Sequence, residues 1–396
     1  MHFKVLSASL LAVPALALPY TTTGLNDLSK RQCAAPGAGS PDPVLNDPFT
    51  TAGGAPVTSV AEFECRQSEL LSLFAQQELG EKLEAESVTA TASGNGLDIS
   101  VSAGGKSISF SVSISYPSGG TEPYPAIIAY GAASIPVPAG VATITFNNDE
   151  IGVQQDTGSR GQGKYFDLYG SSATASAITA WAWGVSRIID AIEATPDSRI
   201  NPAKIGVTGC SRNGKGALAA GALDSRVALT LPQESGSGGS ACWRLSDDQK
   251  ARGINVQTAS QIITENVWFS TSFEQYVNDV TQLPFDHHLL AGLVAPRGLY
   301  VIENTDMEWL GNESCYGCMV AAHKIWEALG VPDNMGFSQV GGHNHCQFPS
   351  SQQSELEAFV TKFLLDGDSD TAIFKTDGSF TFDEAKWTPW EVPTLA

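Results

Sequence analysis

Residues 204–223 read KIGVTGCSRNGKGALAAGAL. A short apolar run passes, with no linker, into a segment of small residues suited to a helix. A strand that turns sharply into a helix needs small side chains where the two meet, and Gly209, Gly214 and Gly216 supply them. The same punctuation recurs along the chain. "AIIAYG" (126–131), "VATITF" (141–146), "VALTLPQES" (227–235), "GLYVIEN" (298–304) and "MGFSQV" (335–340) are apolar runs between turn signals, the mark of strands buried on both faces. Between them, residues 174–194, 317–330 and 354–365 carry apolar residues at helical spacing. Strands alternating with helices predict an α/β fold: a three-layer αβα sandwich around a mostly parallel central sheet. "SISFSVSISYP" (107–117) instead alternates apolar and polar residues, which predicts a half-buried antiparallel strand joining the sheet's edge. In sheets of this kind functional groups gather at the carboxyl ends of the strands.

The chain has 396 residues and opens MHFKVLSASLLAVPALALPY, one lysine and an apolar run before Ala15-Leu16-Ala17. That reads as a secretory signal over 1–17, too short to span a bilayer. The Lys30-Arg31 pair then ends a polar segment, so 18–31 reads as a pro-peptide and 32–396 as a single domain with no second module. Residues 36–56, rich in Pro, Gly and Ser, read as an extended arm. The whole chain carries a formal charge of −20; without residues 1–31 the count is 19 basic against 41 acidic, or −22. Such a surface repels nucleic acid and anionic membranes, so neither is expected as a partner, and the protein is expected to be secreted, extracellular and monomeric. Seven cysteines in a secreted chain point to disulfides rather than metal. Cys315-x-x-Cys318 lacks the second pair a zinc site would need, and neither a metal nor any other cofactor is expected.

Ser211, in strand–GCSRNGKG–helix, has the setting of a nucleophile elbow, although Asn213 stands where G-x-S-x-G has its second glycine. A serine hydroxyl needs a base within hydrogen-bond reach. His323 falls within a helical pattern, and His287-His288 look structural. "GGHNHCQFPS", after the last strand, offers His343 and His345. Cys210 precedes Ser211 and Cys346 follows His345. A disulfide holds its two Cα atoms about 5.5–6 Å apart, so a Cys210–Cys346 bridge would bring Ser211 and His345 together, and His345 is favoured as base with His343 in support. For the acid that orients the imidazole, Glu234, Asp306 and Glu308 all follow strands, and position alone does not choose among them.

"GCSRNGKG", "PQESGSGG", "NHC" and the cysteine spacing resemble the fungal glucuronoyl esterases of carbohydrate esterase family 15. The G-C-S-R-x-G-K signature of that family stands here without mismatch as Gly209 to Lys215, and the similarity runs from Cys33 to the closing helix. The resemblance implies the α/β-hydrolase fold and a serine esterase cleaving the ester between 4-O-methyl-glucuronic acid of glucuronoxylan and lignin alcohols. It implies Ser211 as nucleophile, Glu234 as acid and His345 as base. It gives Arg212 to the oxyanion hole, and Lys215, Gln257, Glu265 and Trp309 to the sugar hydroxyls. It also implies the disulfides Cys33–Cys65, Cys210–Cys346 and Cys242–Cys318 with Cys315 free, although Cys315 could take the place of Cys318. "NES" makes Asn312 a glycosylation acceptor.

Three other readings compete. An acetyl xylan or feruloyl esterase would keep the triad but has no sugar acid for Arg212 and Lys215 to grip. A hydrolase fold reduced to a binding module would lose the serine or the histidine, and both are present. A cysteine hydrolase would need Cys210 as a free thiol.

Overall fold

The computed structural model describes residues 33, 37 and 39–396; the expected signal and pro-peptide segments lie outside the described residues. Ten strands form one sheet: β1 (Ser87–Ser93), β2 (Gly96–Ala103), β3 (Lys106–Ser115), β4 (Tyr124–Tyr130), β5 (Ala142–Phe146), β6 (Ile200–Cys210), β7 (Val227–Gln233), β8 (Gly298–Glu303), β9 (Met335–Gln339) and β10 (Phe374–Thr376). Their order is β1-β2-β3-β5-β4-β6-β7-β8-β9-β10. Every pairing from β5 to β10 is parallel, whereas β1, β2, β3 and β5 pair antiparallel. The alternating segment expected at the edge is β3, and it is not the edge. The hairpin strands β1 and β2 extend the sheet beyond it. Gly104 and Gly105 close the β2–β3 turn between the paired Ala103 and Lys106, both with left-handed φ (56° and 75°), as a two-residue hairpin turn that follows the strand twist requires.

The principal helices are α1 (Val60–Phe74), α2 (Ala177–Ala194), α3 (Arg212–Leu223), α4 (Ala259–Glu265), α5 (Asn312–Ala328) and α6 (Gln353–Phe363). Side chains alternate along the central strands, and each set finds its own layer. Ile127, Leu229, Leu231, Tyr300 and Ile302 pack with Leu356, Phe359 and Val360 of α6. Ala126, Ile128, Val207 and Val301 belong to the larger core that takes in α2, α3 and α5. α2 is apolar nearly all round and buries Trp181 and Trp183 completely, as a helix without a solvent face should. The described part of the 36–56 arm packs on the body of the protein: Leu45 and Phe49 are buried, and Leu45 N–H donates to Trp387 O at 3.1 Å. Among the described residues no helix is long and apolar enough to cross a membrane.

Candidate active site

The parallel ladder brings the site together. Cys210 pairs with Gln233, Gln233 with Ile302, and Ile302 with Ser338, one row across four strands at their carboxyl ends. One residue further along lie Ser211, Glu234 and Glu303. Ser211 is the turn between β6 and α3, held at φ 61°, ψ −127°, a conformation costly for any residue with a side chain. It is fixed from both sides: its N–H donates to Gln233 O at 2.9 Å, and its C=O accepts from Lys215 N–H at 3.0 Å. A Cβ on Gly209 would collide with the Asn213 backbone, and one on Gly214 would lie 2.6 Å from Gln233 O. The glycines the elbow needs are therefore 209 and 214. Asn213 is not a failed glycine. Its Nδ2 donates to Tyr130 O (3.3 Å) and its Oδ1 accepts from Asn148 (3.1 Å), tying the start of α3 to the end of β4.

Glu234 is fully buried, has left-handed φ (43°), and donates its N–H to Ile302 O at 2.7 Å. Its Oε2 lies 2.7 Å from His345 Nδ1, and its Oε1 accepts the Cys346 N–H at 3.1 Å. A carboxylate on Nδ1 fixes that nitrogen as the donor and leaves Nε2 as the basic one. Cys346 is bridged to Cys210 with Cα atoms 5.7 Å apart, so the neighbours of that bond, Ser211 and His345, are brought together covalently. Cys210 is thereby withdrawn as a nucleophile. An imidazole nitrogen of His345 and both sulfurs of this disulfide lie within 4.8 Å of one another, but sulfurs bonded to each other are not thiolate ligands. His343 supports the loop from inside. Its Nε2 lies 2.9 Å from Val340 O, and its Nδ1 is 3.8 Å from Glu234 Oε1. Asp306 accepts from Gly342 N–H (2.6 Å) and Glu308 faces Asn255 N–H (3.4 Å); neither is bonded to His345. His287 is structural, its ring nitrogens meeting Gly239 O at 2.8 Å and Glu78 Oε1 at 2.7 Å.

Of the four residues expected to hold a sugar, Gln257, Glu265 and Trp309 are linked in one band beside the histidine. Gln257 Nε2 donates to Glu265 Oε2 at 2.5 Å, and Gln257 N–H donates to Trp309 O at 2.9 Å. The Trp309 ring stands edge-on to His345 at 5.3 Å and is 41% exposed, so it is not a core aromatic. Lys215 is buried on the first turn of α3, donates from Nζ to Ser235 O, and lies 5.8 Å from the Trp268 ring. Burial pulls its ammonium down to about 8, against the opposing charge of Glu303 and, less strongly, of Glu265. Arg212 is exposed at the start of α3, and its side chain forms no hydrogen bond or ion pair among the described residues. Here the first-turn N–H groups of the helix also lack intrahelical acceptors.

Glu303 and Trp268 escaped the sequence reading. Glu303 is the last residue of β8 and 1% exposed, and burial pushes its carboxyl up to about 7. Its signal was a glutamate inside the otherwise apolar run GLYVIEN, one residue short of the loop in which the acids were sought. The remaining disulfides are Cys33–Cys65 and Cys242–Cys318, with Cys315 free and buried. Asn312 begins α5 and donates to Thr305 O at 2.5 Å, while Ser314 of the sequon is buried.

A strained serine at the first strand-to-helix turn of the sheet's centre, with an acid–histidine pair delivered by later strands, defines a hydrolase of the α/β-hydrolase fold. A family model described as "Glucuronyl esterase, fungi" matches residues 99–330, and the chain belongs to that family of carboxylic ester hydrolases. The 4-O-methyl-glucuronoyl methylesterase of Schizophyllum commune is 56% identical over 398 residues, covering 98% of this chain and 99% of its own. The glucuronoyl esterase catalytic domain of Hypocrea jecorina is 59% identical with a TM-score of 0.88, covering 90% of this chain and 98% of that one. A glucuronoyl esterase mutant from Sporotrichum thermophile, solved with methyl 4-O-methyl-beta-D-glucopyranuronate, is 53% identical with a TM-score of 0.89, over 92% of this chain and 100% of that one.

Proposed function

We propose that this glucuronoyl esterase cleaves the ester between 4-O-methyl-D-glucuronic acid of glucuronoxylan and lignin alcohols, outside the cell, through an acyl-enzyme on Ser211. The observation that carries the residue roles is the Glu234–His345 hydrogen bond at 2.7 Å, on a loop tethered by Cys346 to the residue before Ser211. His345 Nε2 takes the Ser211 hydroxyl proton as Oγ attacks the ester carbonyl, and returns it to the departing alcohol oxygen. Water then attacks the acyl-enzyme by the same route, releasing the uronic acid and restoring the serine. Glu234 orients the ring and stabilises the imidazolium. Arg212 meets the oxyanion with its backbone N–H and its free guanidinium. A fixed donor such as the backbone N–H is worth about 3–4 kcal/mol. Lys215, Glu265 and Gln257 take the sugar hydroxyls, and Trp309 lies against the sugar beside the base.

The test is hydrolysis of methyl 4-O-methyl-glucuronate, acetylated xylan and methyl ferulate by the wild type and by Ser211→Ala. Activity on the glucuronate ester, abolished in the variant, is expected. Turnover of acetate or ferulate esters alone would sink the proposal, as would an active Ser211→Ala.

A further inference from the structure

We propose that Glu303, the last residue of β8, is a positioning residue for this reaction. From beneath the 234–240 turn it fixes the segment carrying Glu234, and it supplies the counter-charge that keeps Lys215 an ammonium facing the sugar. The inference rests on the reading above, in which Glu234 is the acid and Lys215 binds substrate.

One carboxylate oxygen organises the whole turn. Glu303 Oε1 accepts from Ser235 N–H (2.9 Å), Ser235 Oγ (3.3 Å) and the Ser240 hydroxyl. Ser240 N–H in turn donates to Ser235 Oγ at 2.9 Å, so both ends of the turn are bound through Ser235. The carbonyl of Ser235 accepts from Lys215 Nζ. Ser235 is thus clamped between Glu303 at its amide and Lys215 at its carbonyl, directly after Glu234. Glu234 itself sits in a left-handed conformation and depends on its neighbour staying put. A buried carboxylate is expensive unless its charge is used, and the charges around this one show the use. Glu303 faces the Glu234 carboxylate and Lys215, with the buried, uncharged Cys315 thiol beside them; Lys215 faces Glu303 and Glu265. Two carboxyls close together resist joint ionisation, and the lysine offsets that. Removing the Glu303 charge leaves Lys215 in a desolvated site with weaker opposing charge, which favours the neutral amine.

Kinetics of the intact enzyme on methyl 4-O-methyl-glucuronate test this. Glu303→Gln keeps the shape and removes the charge. It is expected to lower kcat/KM about 10- to 100-fold, the range small misplacements at an active site produce. The pH at which KM begins to rise on the alkaline side should also fall by about one unit, a shift that a merely structural role would not produce. Lys215→Met should lack that alkaline rise altogether. Ser240→Ala, which removes one hydrogen bond and spares the charge, is expected to lower kcat without moving the KM profile, and it carries the test alone if Glu303→Gln does not accumulate folded. Wild-type kcat, KM and pH profile in folded Glu303→Gln, or wild-type kcat in Ser240→Ala, overturns the inference and leaves the proposed reaction standing. A wild type inactive on this ester, or an active Ser211→Ala, overturns the proposed reaction itself.

Discussion

Removing the Cys210–Cys346 bridge separates its two jobs, stability and alignment, and each has a magnitude. The double substitution Cys210→Ala/Cys346→Ala opens a loop of sequence separation 136, but the Cys242–Cys318 bridge inside it already short-circuits 76 of those residues. The effective loop is the difference, 60 residues, for which chain entropy gives about 4 kcal/mol. With about 2.1 cal/mol/K of unfolding entropy per residue, a chain of this size loses about 5 °C of Tm. Alignment should suffer more. Cys346 is held at φ 65° and Ser211 at φ 61°; without the tether the loop can relax, and His345 leaves the serine. A shift of one ångström in a reacting group can cost about 100-fold, so kcat should fall by that order at 25 °C, where the fold persists. Cys33→Ala/Cys65→Ala is the control. Its loop of separation 32 is worth about 3–4 kcal/mol, yet neither cysteine is next in sequence to Ser211, Glu234 or His345, so Tm should fall with kcat unchanged. Calorimetry and initial rates on methyl 4-O-methyl-glucuronate measure both effects. A tether-free variant with wild-type kcat would refute the reasoning, as would a control that loses as much kcat.

Glu234→Ala should cut kcat by several orders of magnitude in a folded protein, while Glu308→Ala should be near neutral and Asp306→Ala should cost no more than the Gly342 hydrogen bond, about 1 kcal/mol of stability. A rate collapse at Asp306 or Glu308 instead would reassign the acid. Lys215 holds its proton below about 8, so KM should rise as pH increases through that value, and Lys215→Met should show a high KM that no longer changes there. Its folded value lies below the ordinary 10.5, so the unfolded chain binds more protons between about 8 and 10.5. The lysine's contribution to stability should therefore increase with pH across that window, measurable as a wild-type minus Lys215→Met difference in urea midpoints. Asn213→Gly restores the G-x-S-x-G spacing but removes the bonds to Tyr130 and Asn148. It should destabilise by about 1–2 kcal/mol, and a stabilised variant would contradict the role given to Asn213.

The catalytic half of the sheet was legible because its strands are buried on both faces, so apolar runs between turns mark β4 to β9 within a few residues. The outer hairpin was not. β1 reads SVTATAS and buries only every second side chain, none of them fully, leaving an alternation of small residues too weak to announce a strand. α1, α4 and the three-residue β10 were missed as well. At the site, the paired cysteines favour His345 over His343 for the proposed base, because covalent geometry constrains space where sequence order does not. The acid was harder, since Glu234, Asp306 and Glu308 share the same sequence context. What supports Glu234 for the proposed role is a register row across the ladder and one hydrogen bond to His345. Glu303 was hidden for a related reason: a carboxylate inside a strand reads as part of the strand until the turn above it is seen.

Among the described residues five non-glycine positions have left-handed φ, and three of them are Ser211, Glu234 and Cys346. Each such residue costs about 1–3 kcal/mol, so the strain lies where β6, β7 and the loop after β9 present the residues proposed for catalysis. It persists because each position is fixed more than once: Ser211 by Gln233 O and by its place before α3, Glu234 by Ile302 O and the Cys346 amide, Cys346 by the disulfide and Glu234. These restraints close a circuit, from Ser211 through Cys210 and Cys346 to Glu234, and back through Gln233 to Ser211. A substitution anywhere on that circuit is felt at Ser211, Glu234 and His345, the side chains proposed to carry the reaction, so single-residue losses there should be strongly non-additive, whereas changes at Gln257, Glu265 and Trp309, proposed to hold the sugar, should combine nearly additively with them.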